Sequence, residues 1–189
     1  YQNNTVNAFK LIQLCVEENI EHFIFSSTAA IYGVGEGRPL KETSNINPIN
    51  PYGKSKLMVE WYLADLKKAY EKFNYVALRY FNVAGADPDG EIGQSSKVAT
   101  HLIKLAALTA LGVKKEFYLF GDDYATADGT CIRDYIHVAD LAQAHVDCLH
   151  WQLREKHAGK KDFSEVFNCG YGQGASVAEV VALLKQTAG

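Results

Sequence analysis

The 189-residue sequence contains no run of 18 or more apolar residues, so it offers no helix long and apolar enough to span a membrane. No charged segment followed by an apolar one opens it, so no secretory signal is legible. Charge of one sign is not in excess. The 19 Lys and Arg stand against 22 Asp and Glu, for a net charge of -3 and a pI of about 6.1. That balance gives no electrostatic reason to expect nucleic acid or an anionic membrane as partner; an anionic ligand would have to be held by local cations. Cysteine is sparse: Cys15, Cys131, Cys148 and Cys169 have no partner at zinc-ligand spacing. Of the six histidines, His145 and His150 share a predicted helix but stand five apart, off a common face, so no metal site is expected. Four free thiols, read as small buried side chains, fit a reducing, cytoplasmic setting. Internal repeats and low-complexity segments are absent.

What is present is ordinary for a globular protein: 48% hydrophobic and 22% charged residues, in a length that suits one domain or one plus part of another. Helical spacing of Val6, Phe9, Ile12, Cys15 and Val16 predicts a helix over 5–18. The apolar run Phe23–Phe25 reads as a buried strand ending in Ser26, Ser27 and Thr28. A loop with Gly33, Gly35, Gly37, Pro39, Pro48 and Pro51 leads to a helix over 52–70, then a strand over 76–81. Further on, the pattern predicts a helix over 97–111, a strand over 117–120, an extended piece over 134–138 and a helix over 139–151. A strand over 166–169 and a helix from Ser176 to Thr187, with Ser176 and Glu179 as a capping box, complete the pattern. Strands alternating with helices imply an α/β fold with a mostly parallel sheet. The chain starts at Tyr1 inside a helical pattern and stops at a predicted helix end, so both ends read as cuts through a larger fold.

The chemistry centres on Tyr52-Gly53-Lys54-Ser55-Lys56, a Tyr-x-x-x-Lys on a predicted helix. Four residues rise about 6 Å, so both side chains share one face. Tyrosine ordinarily titrates near about 10, and an adjacent ammonium favours the phenolate, so the pair can act as a general base. A solvated surface pair has the same spacing. Twenty-four residues upstream of Tyr52, Thr28 follows a predicted strand, and ligands bind at the carboxyl ends of such strands. Its hydroxyl could place a substrate hydroxyl against Tyr52, or could cap a turn.

Four motifs occur in order: Phe25-Ser26-Ser27-Thr28-Ala29-Ala30-Ile31-Tyr32-Gly33, Asn50-Pro51-Tyr52-Gly53-Lys54-Ser55-Lys56, Arg79-Tyr80-Phe81-Asn82 and Arg133-Asp134-Tyr135-Ile136-His137-Val138. This set resembles the UDP-hexose 4-epimerases of the extended short-chain dehydrogenase/reductase family over essentially the whole chain. The resemblance implies a Rossmann-like, mostly parallel sheet with helices on both faces, plus part of a small C-terminal substrate-binding domain. Residues 1–82 would be the second part of the NAD-binding domain, and 83–189 substrate-binding elements interleaved with the last Rossmann elements. It implies NAD as cofactor, UDP-galactose and UDP-glucose as substrates, and a homodimer using helices such as 5–18 and 52–70.

By the same resemblance Tyr52 is the base, Lys56 its partner and a contact of the nicotinamide ribose, and Thr28 the hydroxyl of the triad. Asn3 and Phe81 would lie near NAD. Asn82 and Arg133 would hold the diphosphate, where a guanidinium fork suits phosphate oxygens; an ion pair of Arg133 with Asp134 or Asp140 is the competing reading. Leu102 and the strand Tyr118-Leu119-Phe120 would line the uridine pocket. His101 stands where many epimerases carry asparagine, and could donate a hydrogen bond there. Tyr52 would take the proton of the sugar 4-hydroxyl while hydride passes to NAD; the keto sugar turns over and hydride returns to its other face.

Ala29-Ala30 after Thr28 argues against the related 4,6-dehydratases, which resemble this pattern but place an acidic pair there. Pentose epimerases, decarboxylases and a non-catalytic sugar-nucleotide-binding module stay open. Gly170-Tyr171-Gly172-Gln173-Gly174-Ala175 fits G-x-G-x-x-A superficially, but reads as a structural turn. The glycine-rich NAD cradle is expected in a segment before Tyr1, so the 189-residue chain alone is expected to be inactive.

Overall fold

The computed structural model describes residues 1–35, 37–96 and 100–188, which form two compact units. The first comprises Tyr1–Phe81 and Leu141–Cys169, the second Asn82–Asp140 and Gly170–Gly189.

The first unit is an α/β layer structure. A π-helical turn, Gln2–Val6, runs into helix α1, Asn7–Glu17. Strand β1 (His22–Ser26), helix α2 (Pro51–Ala69), strand β2 (Asn74–Tyr80), helix α4 (Val138–His157) and strand β5 (Glu165–Cys169) follow. The strands lie in the order β1-β2-β5, all parallel, with Ser26 beside Leu78 and Leu78 beside Phe167. Parallel neighbours need a crossover, which α2 supplies between β1 and β2.

Side-chain alternation along each strand separates the two faces. Phe25 of β1 and Ala77 of β2 join Ile12, Val59, Leu63 and Phe73 in a core on the α1/α2 side. Phe167 points the other way and meets Trp151 of α4 edge-on, with ring centroids 5.7 Å apart. The helices therefore cover both faces, as in a Rossmann-like fold. The helix expected over 52–70 forms, and it buries Leu57, Val59 and Leu63 while Met58 and Trp61 stay exposed.

One buried polar network runs through this core. Arg79 Nη2 meets Glu60 Oε2 at 2.6 Å with both side chains almost fully covered. Ser27 also donates to Glu60, and Arg79 Nη1 reaches Tyr32 Oη at 2.9 Å. Tyr32 donates in turn to Asn168 Oδ1 at 2.7 Å. Burial opposes the Arg79 charge, but the hydrogen bonds to Glu60 and Tyr32 more than offset it and hold the guanidinium above its ordinary range. The network ties the long loop after β1 to α2, β2 and β5.

In the second unit strand β3 (Asn82–Ala84) pairs in parallel with β4 (Ile132–His137), and β4 pairs antiparallel with β6 (Gly174–Ser176). Helix α3 (Leu102–Ala110) packs on α5 (Val177–Ala188). The capping box forms: Ser176 N donates to Glu179 Oε2 at 2.7 Å and Glu179 N to Ser176 Oγ at 3.1 Å.

Several element expectations change. The sequence pattern starts a helix at Lys97, which lies outside the described residues; the described helix begins at Leu102. Helix α4 continues to His157, six residues beyond the expected end. Strands β3 and β6 were too short, at three residues each, to show a period. The strand expected over 117–120 does not form: among the described residues no neighbour pairs with it, and β-propensity without a ladder does not make a strand. No helix among the described residues is long and apolar enough to cross a membrane, and all four cysteines are free.

Candidate active site

The candidate chemistry of the first unit gathers at the carboxyl end of β1 and the first turns of α2. β1 ends at Ser26, and Thr28, 6% exposed, caps a 3-10 turn over Ala29–Ile31, accepting from Ala30 N at 3.2 Å. The cap reading of Thr28 is thus realised. An oxygen that accepts one bond still carries its own proton and a second lone pair, so a substrate contact is compatible with it.

Helix α2 starts where the sequence signals it. Asn50 Oδ1 accepts from Gly53 N at 2.8 Å and Pro51 opens the first turn, where its missing N–H costs nothing. Gly53 explains how close this turn lies to Thr28. A Cβ there would stand 2.6 Å from Ala30 O and 3.0 Å from Pro48 Cβ, so α2 can press on the 3-10 turn only with glycine at this position.

Tyr52 is 45% exposed, as a group that meets substrate must be. Lys56 is half-buried. Its ammonium donates to Ser26 O at 3.1 Å and lies 5.1 Å from the Phe25 ring centroid. Burial pushes the Lys56 ammonium below the ordinary lysine range. The lysine is therefore anchored to the end of β1, one turn behind Tyr52 on the same helix face.

Asn3 is exposed within the π-helical turn. Its neighbours do the docking: Asn4 Nδ2 reaches Ser55 Oγ at 3.4 Å and Thr5 Oγ1 donates to Ser55 O at 3.0 Å. Ser55 Oγ in turn donates to Tyr52 O at 2.7 Å, so this turn braces the backbone of the tyrosine. π-helical turns recur at functional sites, and no residue pattern marks this one. Phe81 follows the last residue of β2, with its N–H on Cys169 O at 3.1 Å.

His145 was weighed in the sequence only as a metal ligand. In the structure its Nε2 lies 3.2 Å from Ser26 Oγ and its Nδ1 2.8 Å from Leu141 O. No spacing rule could join positions 26 and 145; parallel strands and α4 bring them together.

The second unit holds the other candidates. Asn82 opens β3 and commits one amide hydrogen to Asp134 O at 3.0 Å, leaving the second free for a ligand. Arg133 is exposed on β4 and, among the described residues, donates only to Ile132 O at 3.3 Å. The ion pair with Asp134 or Asp140 does not occur. The Asp134 carboxylate accepts from Tyr171 N at 3.1 Å and Gly172 N at 2.9 Å, and Asp140 accepts from Tyr171 Oη. These bonds also explain the false glycine motif. The N–H groups that a phosphate would need are held by Asp134, and β6 follows the loop before any helix.

His101 directly precedes α3, exposed, with Nδ1 2.9 Å from Gln94 Nε2. Leu102 begins that helix, half-buried. Tyr118 and Phe120 are 66% and 86% exposed and Leu119 is 39% exposed. Tyr118 donates to Glu116, which raises its phenol above the usual range. Gly85 is required where it stands, at φ +91°, because a Cβ would lie 2.3 Å from His137 Nε2.

Residues 1–170 match the family described as the NAD dependent epimerase/dehydratase family. The chain belongs to that family. Within it, the chain is 51% identical over all its residues to a UDP-glucose 4-epimerase of Azospirillum brasilense, of which it covers 52%. It is similar to the crystal structure of UDP-glucose 4-epimerase from Brucella ovis in complex with NAD, with TM-score 0.85 and 46% identity, covering 96% of this chain and 54% of that one. The epimerase of Bifidobacterium longum in complex with NAD+ and UDP superposes with TM-score 0.89 at 38% identity, covering all of this chain and 55% of that one. The chain spans about half the length of the epimerase/dehydratase relatives it matches.

The donors of the first unit suit one half of NAD. A hydroxyl at Thr28, a phenol at Tyr52, an ammonium at Lys56 and an aromatic ring at Phe81 are the groups a ribose and a nicotinamide ring call for. Among the described residues no glycine-rich strand-to-helix turn offers N–H groups to the pyrophosphate.

Proposed function

We propose that the protein carrying this chain interconverts UDP-galactose and UDP-glucose by oxidation and re-reduction at sugar C4. The observation that carries the reading is the cluster at the end of β1. The Thr28 turn lies against Gly53, next to Tyr52 in α2, Lys56 one turn on is anchored to Ser26 O, and Ala29 and Ala30 offer no carboxylate for an elimination. The curated relatives, named UDP-glucose 4-epimerase, support the same choice over a pentose epimerase, a decarboxylase or a binding module.

In this reading Lys56 and Tyr52 hold the nicotinamide ribose, and Phe81 lies beside the ring. NAD, when bound, supplies the acceptance and return of hydride at C4. Tyr52 removes the proton of the sugar 4-hydroxyl and later gives it back. Thr28 orients that hydroxyl, and the Lys56 ammonium favours the phenolate form of Tyr52 that accepts the proton. Asn82 and Arg133 of the second unit hold the diphosphate, with Leu102, His101 and Tyr118–Phe120 toward the uridine. The first unit thus serves chemistry and the second serves the substrate. In the complete protein Tyr52→Phe lowers kcat for UDP-galactose conversion by roughly 100- to 10,000-fold. Conversion at the wild-type rate by that variant would sink the proposal.

The same reading gives a homodimer. Leu11 and Leu14 of α1 and Met58 and Trp61 of α2 are exposed, three residues apart in each helix, and so form apolar stripes. Trp61→Glu should shift the protein from dimer to monomer in sedimentation velocity; a wild-type monomer contradicts the assignment.

A further inference from the structure

Ser26 is the last residue of β1, and three of its groups are tied in three directions. Its side chain points to the α4 side of the sheet, opposite Phe25, and its Oγ meets His145 Nε2 at 3.2 Å. Its carbonyl receives the Lys56 ammonium at 3.1 Å, from a helix on the other side. The N–H of the same peptide unit, on Ser27, enters the sheet through Leu78 O at 2.8 Å.

The proton positions in this array follow from its acceptors. Leu141 O can only accept, so His145 Nδ1, 2.8 Å away, carries the hydrogen. A neutral imidazole with Nδ1 protonated presents a bare Nε2. Ser26 Oγ must then donate to it, and can itself only accept from any further neighbour. Alternation puts Tyr80 on the same sheet face as Leu78. The donors therefore run one way, from Ser26 to His145 and on to the backbone of α4.

We propose that His145 is a positioning residue of the active site: through Ser26 it fixes the strand-end carbonyl that receives the Lys56 ammonium, and thereby the lysine one turn behind Tyr52. The role rests on the epimerase reading above and adds to it a residue 119 positions from Ser26. His145 touches no reacting atom. It aligns the strand end from the far face of the sheet, adding a side-chain tie to the ladder bond that Ser27 N makes to Leu78 O. A small displacement of Lys56 is felt at Tyr52, since a misplaced group near the reacting atoms costs rate far more than binding.

The test uses the complete protein and UDP-galactose, with kcat and KM determined separately. His145→Phe keeps a ring and removes both hydrogen bonds; kcat should fall by about 10- to 100-fold with KM within about twofold. His145→Gln places an amide oxygen near the position of Nε2 and should restore most of kcat. Ser26→Ala should lower kcat to a similar extent, and adding His145→Phe to it should lower kcat no further, because both break one chain. A folded His145→Phe with wild-type kcat overturns the proposal, as do losses from the two single variants that multiply in the double. Should His145→Phe fail to fold, Ser26→Ala decides alone, and full kcat there is equally fatal. A wild-type protein with no epimerase activity is a different result: it removes the epimerase reading itself and the positioning role with it.

Discussion

The two units hold their functional candidates in opposite ways. In the first, each candidate side chain or its backbone is tied to a neighbour: Lys56 to Ser26 O, Thr28 into its turn, the Tyr52 backbone to Ser55. In the second, Asn82, His101 and Tyr118 have side-chain partners, but among the described residues Arg133 has an adjacent carbonyl alone and Phe120 is 86% exposed. A proton-transfer site needs atoms held to a fraction of an ångström, which a closed network supplies. On the proposed reading, a site for a flexible diphosphate and a uracil ring can leave its donors free until the ligand pairs with them, as Arg133 and the second amide hydrogen of Asn82 would.

The strongest way to break this contrast is to open the network beneath the first site. Arg79→Met leaves the Glu60 carboxylate buried without its cation, although Ser27 still donates to it. Stability to urea should fall by about 3–5 kcal/mol, the cost of orphaning one partner of a buried pair. A midpoint unchanged at constant slope would show that the pair is not holding the unit together. Arg133→Ala probes the other side. It should raise KM for UDP-galactose by about 10-fold, leave kcat within about twofold and leave stability unchanged, since the exposed guanidinium donates to the adjacent Ile132 carbonyl and ties no other element. A large loss of kcat with KM intact would put Arg133 with the chemistry instead.

The legible parts of the molecule are those whose signal lies within one element. The period of α1, the helical stretch over 52–70 and the Ser176/Glu179 box all depend on residues a few positions apart, and all are realised, whereas the Asn50 cap and Pro51 start lay in the expected loop. The Tyr52 and Lys56 spacing belongs to the same class. What was not legible depends on pairing at a distance. Tyr118-Leu119-Phe120 has the composition of a strand, but only a neighbouring strand could make it one. The partner of Asp134 was sought among cations because charge is visible in sequence. Its actual partners are the N–H groups of Tyr171 and Gly172, which carry no sequence signal. His145 and Ser26 lie at the two ends of a parallel arrangement, and neither motif nor spacing joins them.

The smallest expected effect sharpens the comparison within the second unit, whose helix cap at Ser176 stands opposite Ile132, one position from Arg133. Ser176 Oγ accepts from Glu179 N at 3.1 Å and donates to Asp128, whose other oxygen accepts from Thr130 N and Oγ1 at 2.8 Å each. The Ser176 bond, and then those from Thr130, hold the Asp128 carboxyl below its ordinary value. Ser176→Ala should therefore cost about 1 kcal/mol at pH 7, the usual value of an N-cap. The sign of its pH dependence follows from linkage. A carboxyl depressed in the folded state adds stability above its unfolded value and loses it as pH falls through its folded one. The gap in stability between wild type and Ser176→Ala should thus be full at neutral pH and narrow below about 4, the ordinary range of an aspartate. Thermal melts from pH 7 down to about 3 follow it directly. A gap that stays constant through that range would mean that the cap acts through Glu179 N alone, with Asp128 a bystander.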